Sequence, residues 1–324
     1  MRALCLSRSP EPGGAPGLAL VELPEPVPQP GELLVELVAS PISPMDRLML
    51  RGLYPLPIPG GLLGSQGVGR VLAAPELAEA GPAIGSLVLL PIRCGAWRER
   101  LVVPASAVVE LPPGCDPIAA STARIEGLTA WVLLAGLEPG EWFVHSPGAG
   151  SVGRFLTRLA HARGLRSIAL VGSREPIAEL WGLGADNVLV REPNLAARLA
   201  ELGLPRPRVG FDGSGGAGSE VLGSCLAPGG ELVVYGAISR QPIQLPVAEL
   251  VFRDVRVRGF WLHRWAQEVG PARVRAALDE VLAADLREQV LATHTLDDWP
   301  AALTRAEASG ARGRVVFTLG GSES

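Results

Sequence analysis

From about residue 120 the sequence alternates short apolar runs with amphipathic segments of ten or so residues, and this alternation constrains the fold more than any other feature. Strand candidates at 142–145, 167–171, 187–190, 209–212 and 231–235 are separated by helical candidates at 152–163, 176–183, 195–202 and 219–226. Parallel strands need a crossover long enough to hold a helix, so the pattern predicts βαβ units and a doubly wound parallel sheet. Right-handed crossovers then put ligands at the carboxyl ends of the strands. Residues 1–119 read differently. Apolar runs at 3–6, 18–23, 32–38, 68–73, 87–91, 99–103 and 107–111 lie between Pro- and Gly-rich turns, which predicts a β domain. A strand at 255–262 and helices near 271–284 and 299–308 follow, and a strand at 314–319 ends the chain. That strand cannot extend the parallel sheet without another crossover, so it is expected to return to the β domain. The fold class is therefore α/β, with one domain at 1–119 and 262–324 and the other at 120–261.

Within the alternating half, the first predicted strand runs into Ser146-Pro147-Gly148-Ala149-Gly150-Ser151-Val152-Gly153 and then a helix. Gly148-x-Gly150-x-x-Gly153 is a weak signal in a chain with 40 glycines. Its place at the head of a βαβ series gives it meaning. There, glycines let backbone N–H groups and a helix N-terminus approach a diphosphate, which the helix dipole favours. The next strand ends in Gly172-Ser173-Arg174, with no acid before Glu175. An NAD site usually places a carboxylate at this point to bond the ribose 2′-hydroxyl, whereas Ser173 and Arg174 suit a 2′-phosphate. NADPH is the expected coenzyme.

Composition excludes several classes. With 324 residues the chain is long enough for two domains, since single cores rarely grow past about 250 residues. A net charge of −4 gives no reason to expect nucleic acid or membrane binding. No apolar run reaches the roughly 18 residues of a membrane span, and the first residues lack the apolar core of a signal peptide. Cys5, Cys94, Cys115 and Cys225 are far apart, which fits a reducing compartment; a cytoplasmic location is expected. All the basic residues are arginine, so lysine chemistry is excluded. His145, His161, His263 and His294 have no metal-ligand spacing, and only His145, which ends a strand just before the glycine turn, stands near the expected site.

The β domain first, the glycine turn in mid-chain and the C-terminal return together resemble the medium-chain dehydrogenase/reductase superfamily, which implies a GroES-like β domain and a Rossmann coenzyme domain. Residues 40–46, Ser-Pro-Ile-Ser-Pro-Met-Asp, and 51–55, Arg-Gly-Leu-Tyr-Pro, resemble both quinone oxidoreductases and mitochondrial-type 2-enoyl thioester reductases. Residues 252–262, with Trp265, and residues 235–242 are more similar to the enoyl reductases. The resemblance implies a catalytic tyrosine at Tyr54 and a diphosphate cradle at Ala149, Gly150, Ser151 and Val152. It implies 2′-phosphate contacts at Gly172, Ser173 and Arg174. Contacts to the nicotinamide half fall on Tyr235, Gly236, Ala237 and Ile238 and on Phe260, Trp261 and Leu262, and a C-terminal basic residue falls on Arg314. The chain departs from the family pattern at Ser40, at Ser65-Gln66 and at Glu126, where asparagine, Asn-Glu and asparagine are usual; these changes bear on substrate orientation more than on coenzyme binding. A homodimer through the coenzyme domain is also implied.

Zinc alcohol dehydrogenases of the superfamily bind their metal through a cysteine, a Gly-His-Glu motif and a later cysteine. This chain has Ser40 to Ser43 and Gly64-Ser65-Gln66-Gly67 there, so no metal is expected. Without a Lewis acid, reduction of an activated C=C is the accessible chemistry: hydride adds β to a carbonyl and hydrogen bonds stabilise the enolate. Tyr54, in the Pro- and Gly-rich stretch 52–59, is a phenol that is protonated at neutral pH and can donate to that enolate; a loop aromatic packing its proline neighbours is the alternative. Arg253, Arg256, Arg258 and Arg264 suggest attraction for coenzyme A or an acyl carrier protein, or else a solvated face. Three functions stay open: an NADPH-dependent 2-enoyl thioester reductase, an NADPH:quinone oxidoreductase, and a non-catalytic coenzyme-binding protein.

Overall fold

In a computed structural model, which describes residues 1–7, 17–75, 81–284, 290–308 and 313–319, the chain divides into two units: Met1–Ile125 with Asp285–Ser324, and Glu126–Ala284. The first unit carries strands β1 (Arg2–Ser7), β2 (Gly17–Glu22) and β3 (Glu32–Pro41), and then helix α1 (Pro44–Leu50). Strands β4 (Val68–Ala73), β5 (Leu87–Leu89), β6 (Arg100–Pro104) and β7 (Val109–Glu110) lead to the single-turn helix α2 (Pro117–Ala120). The second unit opens with α3 (Leu128–Leu134) and alternates β8 (Trp142–Ser146), α4 (Ser151–Ala162), β9 (Arg166–Val171), α5 (Ile177–Gly182), β10 (Asn187–Val190), α6 (Leu195–Glu201), β11 (Val209–Asp212), α7 (Ala217–Cys225), β12 (Glu231–Val234), α8 (Val247–Val251) and β13 (Arg256–Gly259). Helix α9 (Leu262–Ala283) closes it, and β14 (Val290–His294), α10 (Trp299–Glu307) and β15 (Arg314–Phe317) rejoin the first unit.

Strands β10-β9-β8-β11-β12-β13 lie in that order, every neighbouring pair parallel. This is the doubly wound Rossmann order, whose direction reverses between β8 and β11. Strands buried on both faces read as unbroken apolar runs. Accordingly, Val144, Ile168, Leu170 and Leu232 pack with Leu195, Leu199, Leu222 and Leu226, while Ala169, Val171 and Val188 pack with Leu180 on α5.

In the first unit β15 pairs antiparallel with β3, so the last strand does return to the β domain. The sheet runs β14-β15-β3-β4-β5-β7, with β6 also on β3, and β1 and β2 form a separate hairpin; this is the GroES-like fold. Trp97 and Phe317, both fully buried, meet edge to face at 5.1 Å and tie the returning strand to the core around Leu4, Met49 and Leu63.

Two expectations are corrected. The expected boundary at 262 is displaced: the segment 262–283 belongs to the second unit as two helical stretches, interrupted at Gly270 (φ 76, ψ 171), with Pro271 opening the second. Pro271 cannot donate a helical hydrogen bond, which is why the sequence pattern starts only there. The β domain also holds α1, which the Ser43-Pro44-x-Asp46 sequence caps. Ser43 accepts from the Asp46 backbone and Asp46 accepts from the Ser43 backbone, with Pro44 at the first position.

Candidate active site

In the second unit, β8 delivers the glycine turn. Gly148 N–H donates to Leu170 O (2.7 Å), Gly150 N–H to Pro147 O (3.2 Å), and Arg154 N–H to Gly150 O (2.9 Å). A Cβ on Gly153 would lie 2.3 Å from Pro147 O and 2.4 Å from Gly148 O, so only glycine lets α4 close onto the turn. No side chain caps α4 at Gly150. The first helical N–H groups, on Ser151, Val152 and Gly153, lie at the N-terminus of α4, the end where the helix dipole favours an anion. Ala149 packs against the core behind β9.

Gly172, Ser173 and Arg174 follow β9 directly and are exposed. Among the described residues, Ser173 Oγ makes only a 3.5 Å contact with Glu175, and Arg174 is exposed at the strand end. The polar groups at this strand end are therefore available to a phosphate. Arg191, which the sequence reading missed, belongs here too: its N–H donates to Val171 O at 2.8 Å, which sets it beside the end of β9. An arginine one residue past a parallel strand (β10) is the signal that identifies it.

Tyr235, Gly236, Ala237 and Ile238 leave β12 at the same sheet edge. Tyr235 N–H donates to Asp212 O (2.9 Å) and Ile238 N–H to Gly213 O (3.3 Å). A Cβ on Gly236 would meet Gly213 O at 2.7 Å, and one on Gly213 would meet the Tyr235 hydroxyl at 2.6 Å. Phe260 N–H donates to Val234 O (2.8 Å), which sets Phe260, Trp261 and Leu262 alongside. The Trp261 ring, 40% exposed, lies tilted at 44° to the His263 ring with centroids 5.1 Å apart, whereas Leu262 is buried at the start of α9.

Asp212, another missed residue, stands at the switch point. It is buried and accepts from Ser214 N (2.7 Å), Gly215 N (3.0 Å) and Ser219 Oγ (2.6 Å), fixing the loop between β11 and α7. Burial, and secondarily the Asp212 charge, hold the Tyr235 phenol above its ordinary range, so it stays protonated. The coenzyme residues expected in the second unit thus share one edge, the carboxyl end of the parallel sheet. Arg314 does not lie on that sheet. It is the first residue of β15 in the first unit, where its guanidinium donates to Ile42 O at 3.4 Å.

Tyr54 lies in the first unit, half-buried against the core of Met49, Leu63 and Phe317, on the loop that follows α1. The two segments aligned with zinc-ligand positions do converge. Ser43 Oγ and Ser65 Oγ are 2.9 Å apart, and both hydroxyls donate to Asp46 Oδ2, at 2.7 and 3.0 Å. Ser43 N–H and Ser65 N–H complete the carboxylate's shell at 2.8 Å each. All three residues are buried, and burial pushes the Asp46 carboxyl up against the opposing effect of these hydrogen bonds. Ser40 Oγ donates to Gln66 O (2.6 Å), and Gln66 Oε1 accepts from Ile125 N (3.0 Å). Hydroxyls around one carboxylate make a hard, saturated cluster. Among the described residues no group of three His, Cys, Asp or Glu side chains is placed to hold a metal. Glu126 is buried in a π-helical turn, Ala123–Gly127, before α3.

Two further expectations resolve. His145 is fully buried, its nitrogens have no hydrogen-bond partner among the described residues, and burial pushes it down to about 3, so it offers no acid–base group to the site. Burial likewise pushes the Cys94 thiol up to about 12 and Cys225 up to about 11, leaving both unreactive. The arginine run is not an uncompensated patch: Arg253 pairs with Glu249, Arg256 with Asp254 (2.9 Å), Arg258 with Glu231 (2.9 Å) and Arg264 with Glu268 (2.8 Å).

Residues 151–283 match the family model described as zinc-binding dehydrogenase. The mitochondrial enoyl-[acyl-carrier-protein] reductase of Dictyostelium discoideum is 28% identical over 297 residues, 86% of this chain and 84% of that one. The Xenopus tropicalis enzyme of the same name is 30% identical over 247 residues, 71% of this chain and 69% of that one. Among solved structures, the Candida tropicalis enoyl thioester reductase Etr1p, in complex with NADP and crotonyl-CoA, superposes with a TM-score of 0.84 at 19% identity, covering 98% of this chain and 99% of that one. A Pseudomonas syringae quinone oxidoreductase superposes with a TM-score of 0.80 at 26% identity, with the same coverage. The chain belongs to the medium-chain dehydrogenase/reductase superfamily, an oxidoreductase that resembles the mitochondrial enoyl thioester reductases.

Proposed function

We propose that this protein is a zinc-independent, NADPH-dependent reductase of 2-enoyl thioesters carried on coenzyme A or acyl carrier protein. The observation that carries the coenzyme is the sheet edge itself. An uncapped α4 N-terminus behind a turn that requires glycine stands beside exposed Ser173 and Arg174, with no carboxylate at the end of β9. When bound, NADPH supplies a hydride, which in this reading adds to the carbon β to the thioester carbonyl. The chain's own part is electrostatic and protonic. The N–H groups of Ser151, Val152 and Gly153 bind the diphosphate and Arg174 the 2′-phosphate, while Tyr54 stabilises the enolate and supplies a proton toward Cα.

The thioester assignment is supported by similarity to relatives named enoyl-[acyl-carrier-protein] reductase. The likeness to a quinone oxidoreductase at 26% identity favours a second reading, NADPH:quinone reduction. Homodimerisation belongs to the proposal as well. Strand β13 is a sheet edge whose four residues are all exposed, and Phe252 just before it is 84% exposed. A cytoplasmic location is also proposed, on sequence composition alone. Following NADPH consumption with crotonyl-CoA and, separately, with a small quinone tests the reading. Turnover of crotonyl-CoA at least about tenfold more efficient is expected; turnover of the quinone alone would overturn it.

A further inference from the structure

The tyrosine loop is tied at both ends to one residue, Ser65. On the N-terminal side, Asp46 sits in the first turn of α1 and accepts from Ser65 N (2.8 Å) and Ser65 Oγ (3.0 Å). Helix α1 has only seven residues. Its far end closes through Gly52 N–H to Met49 O (3.0 Å) and Leu53 N–H to Leu48 O (2.9 Å), with Gly52 left-handed at φ 65. Tyr54 comes next but one. On the C-terminal side, Ser65 O accepts from Arg93 N–H at 2.7 Å, and the Arg93 guanidinium donates to Pro57 O, three residues beyond Tyr54. The stretch from Gly52 to Pro57 is therefore a short span closed on a common anchor.

Arg93 has two features that stability does not explain. Its backbone is left-handed (φ 61), a conformation that disfavours any residue with a Cβ and that glycine adopts freely. Its guanidinium also has no ion pair among the described residues, and its buried Nε lacks an acceptor. Strain of this kind persists where the surrounding structure uses it. We propose that Arg93 is a positioning residue for Tyr54: it fixes the Pro57 carbonyl, and thereby the phenol, while Ser65 and Asp46 fix the opposite end of the loop. Of the bonds that Ser65 makes to this loop's anchors, only the hydroxyl to Asp46 depends on its side chain; the other two are backbone bonds. The inference rests on the reading of Tyr54 as the proton donor.

Arg93→Gly tests it, because glycine keeps the N–H to Ser65 O and relaxes the left-handed backbone while removing the side chain with its guanidinium. The expected variant has an unchanged or raised thermal midpoint and unchanged NADPH affinity, and its kcat with crotonyl-CoA falls roughly ten- to a hundredfold. In a Tyr54→Phe background the same change has less than about a twofold effect, because the group it positions is already gone. Arg93→Lys, which still donates to the Pro57 carbonyl, recovers most of the rate. A wild-type kcat in Arg93→Gly, or an equal loss in the Tyr54→Phe background, would overturn the proposal. Full activity of Tyr54→Phe alone would remove the role of Tyr54 and this inference with it. An impaired Tyr54→Phe beside an unimpaired Arg93→Gly would remove only the inference.

Discussion

His145 sets a measurable limit on how this protein tolerates acid. The ring is fully buried at the end of β8, 5.5 Å from the Phe143 ring, and burial alone pushes its pKa down to about 3. In the unfolded chain the same imidazole titrates near its ordinary value of about 6.5. Between those values the unfolded state binds the proton and the folded state does not, so stability rises with pH across the window and is lost as pH falls. The slope is about 1.36 kcal/mol per pH unit. Summed over the titration curve, His145 removes about 1.4 kcal/mol between pH 7.5 and pH 5.5, with an upper bound of about 5 kcal/mol on full descent to pH 3. His145→Leu deletes the titrating group and two unpartnered nitrogens while nearly conserving volume, and is expected to match or exceed the wild type by about 1–2 kcal/mol at pH 7.5. Urea unfolding of both proteins across this pH range is the assay, since every other titrating group cancels in the difference. The gap should widen by about 1.4 kcal/mol from pH 7.5 to pH 5.5. Parallel profiles, or a leucine variant less stable at both pH values, would show that the ring is hydrogen-bonded or hydrated in the folded protein.

Three perturbations probe the site itself. Tyr54→Phe removes the hydroxyl and keeps the packing against the core, so kcat should fall about 10²- to 10⁴-fold with NADPH affinity within about twofold in a fluorescence titration. Arg174→Ala should weaken NADPH by about 1.5–3 kcal/mol, roughly ten- to more than a hundredfold in Kd, while NADH binding changes little. Gly153→Ala drives a methyl to within 2.3 Å of the Pro147 carbonyl oxygen, so the turn must open. A loss of about 1–3 kcal/mol in stability and disappearance of the thermal shift induced by NADPH are expected.

What the sequence displays follows from how local each determinant is. Strands 68–73, 187–190 and 209–212 have the expected limits because each apolar run is bounded by its own turn residues. Helix α1 is hidden because seven residues flanked by prolines show too few turns for a period; only the Ser43-Pro44-x-Asp46 cap marks it. The cradle around Gly153 is legible because the restriction is a backbone contact within a few residues. By contrast, Asp46 meets Ser65 across 19 residues, and Arg258 meets Glu231 through the pairing of β12 and β13. Such partners become neighbours only after the sheets form, which is why the arginine run reads as a basic patch in sequence and as ion pairs in the fold. Arg93 carries no sequence signal, since its left-handed backbone belongs to a turn held by hydrogen bonds to the distant Ser65, Gly64 and Leu63 carbonyls.

The most direct test of the central claim is the product formed from crotonyl-CoA and NADPH in heavy water. Hydride from unlabelled NADPH goes to Cβ and the solvent-derived proton to Cα, so butyryl-CoA with one deuterium, located at Cα, is the predicted result, in step with NADPH consumed. Absence of butyryl-CoA while a quinone consumes NADPH, or solvent deuterium incorporated at Cβ, would contradict the account.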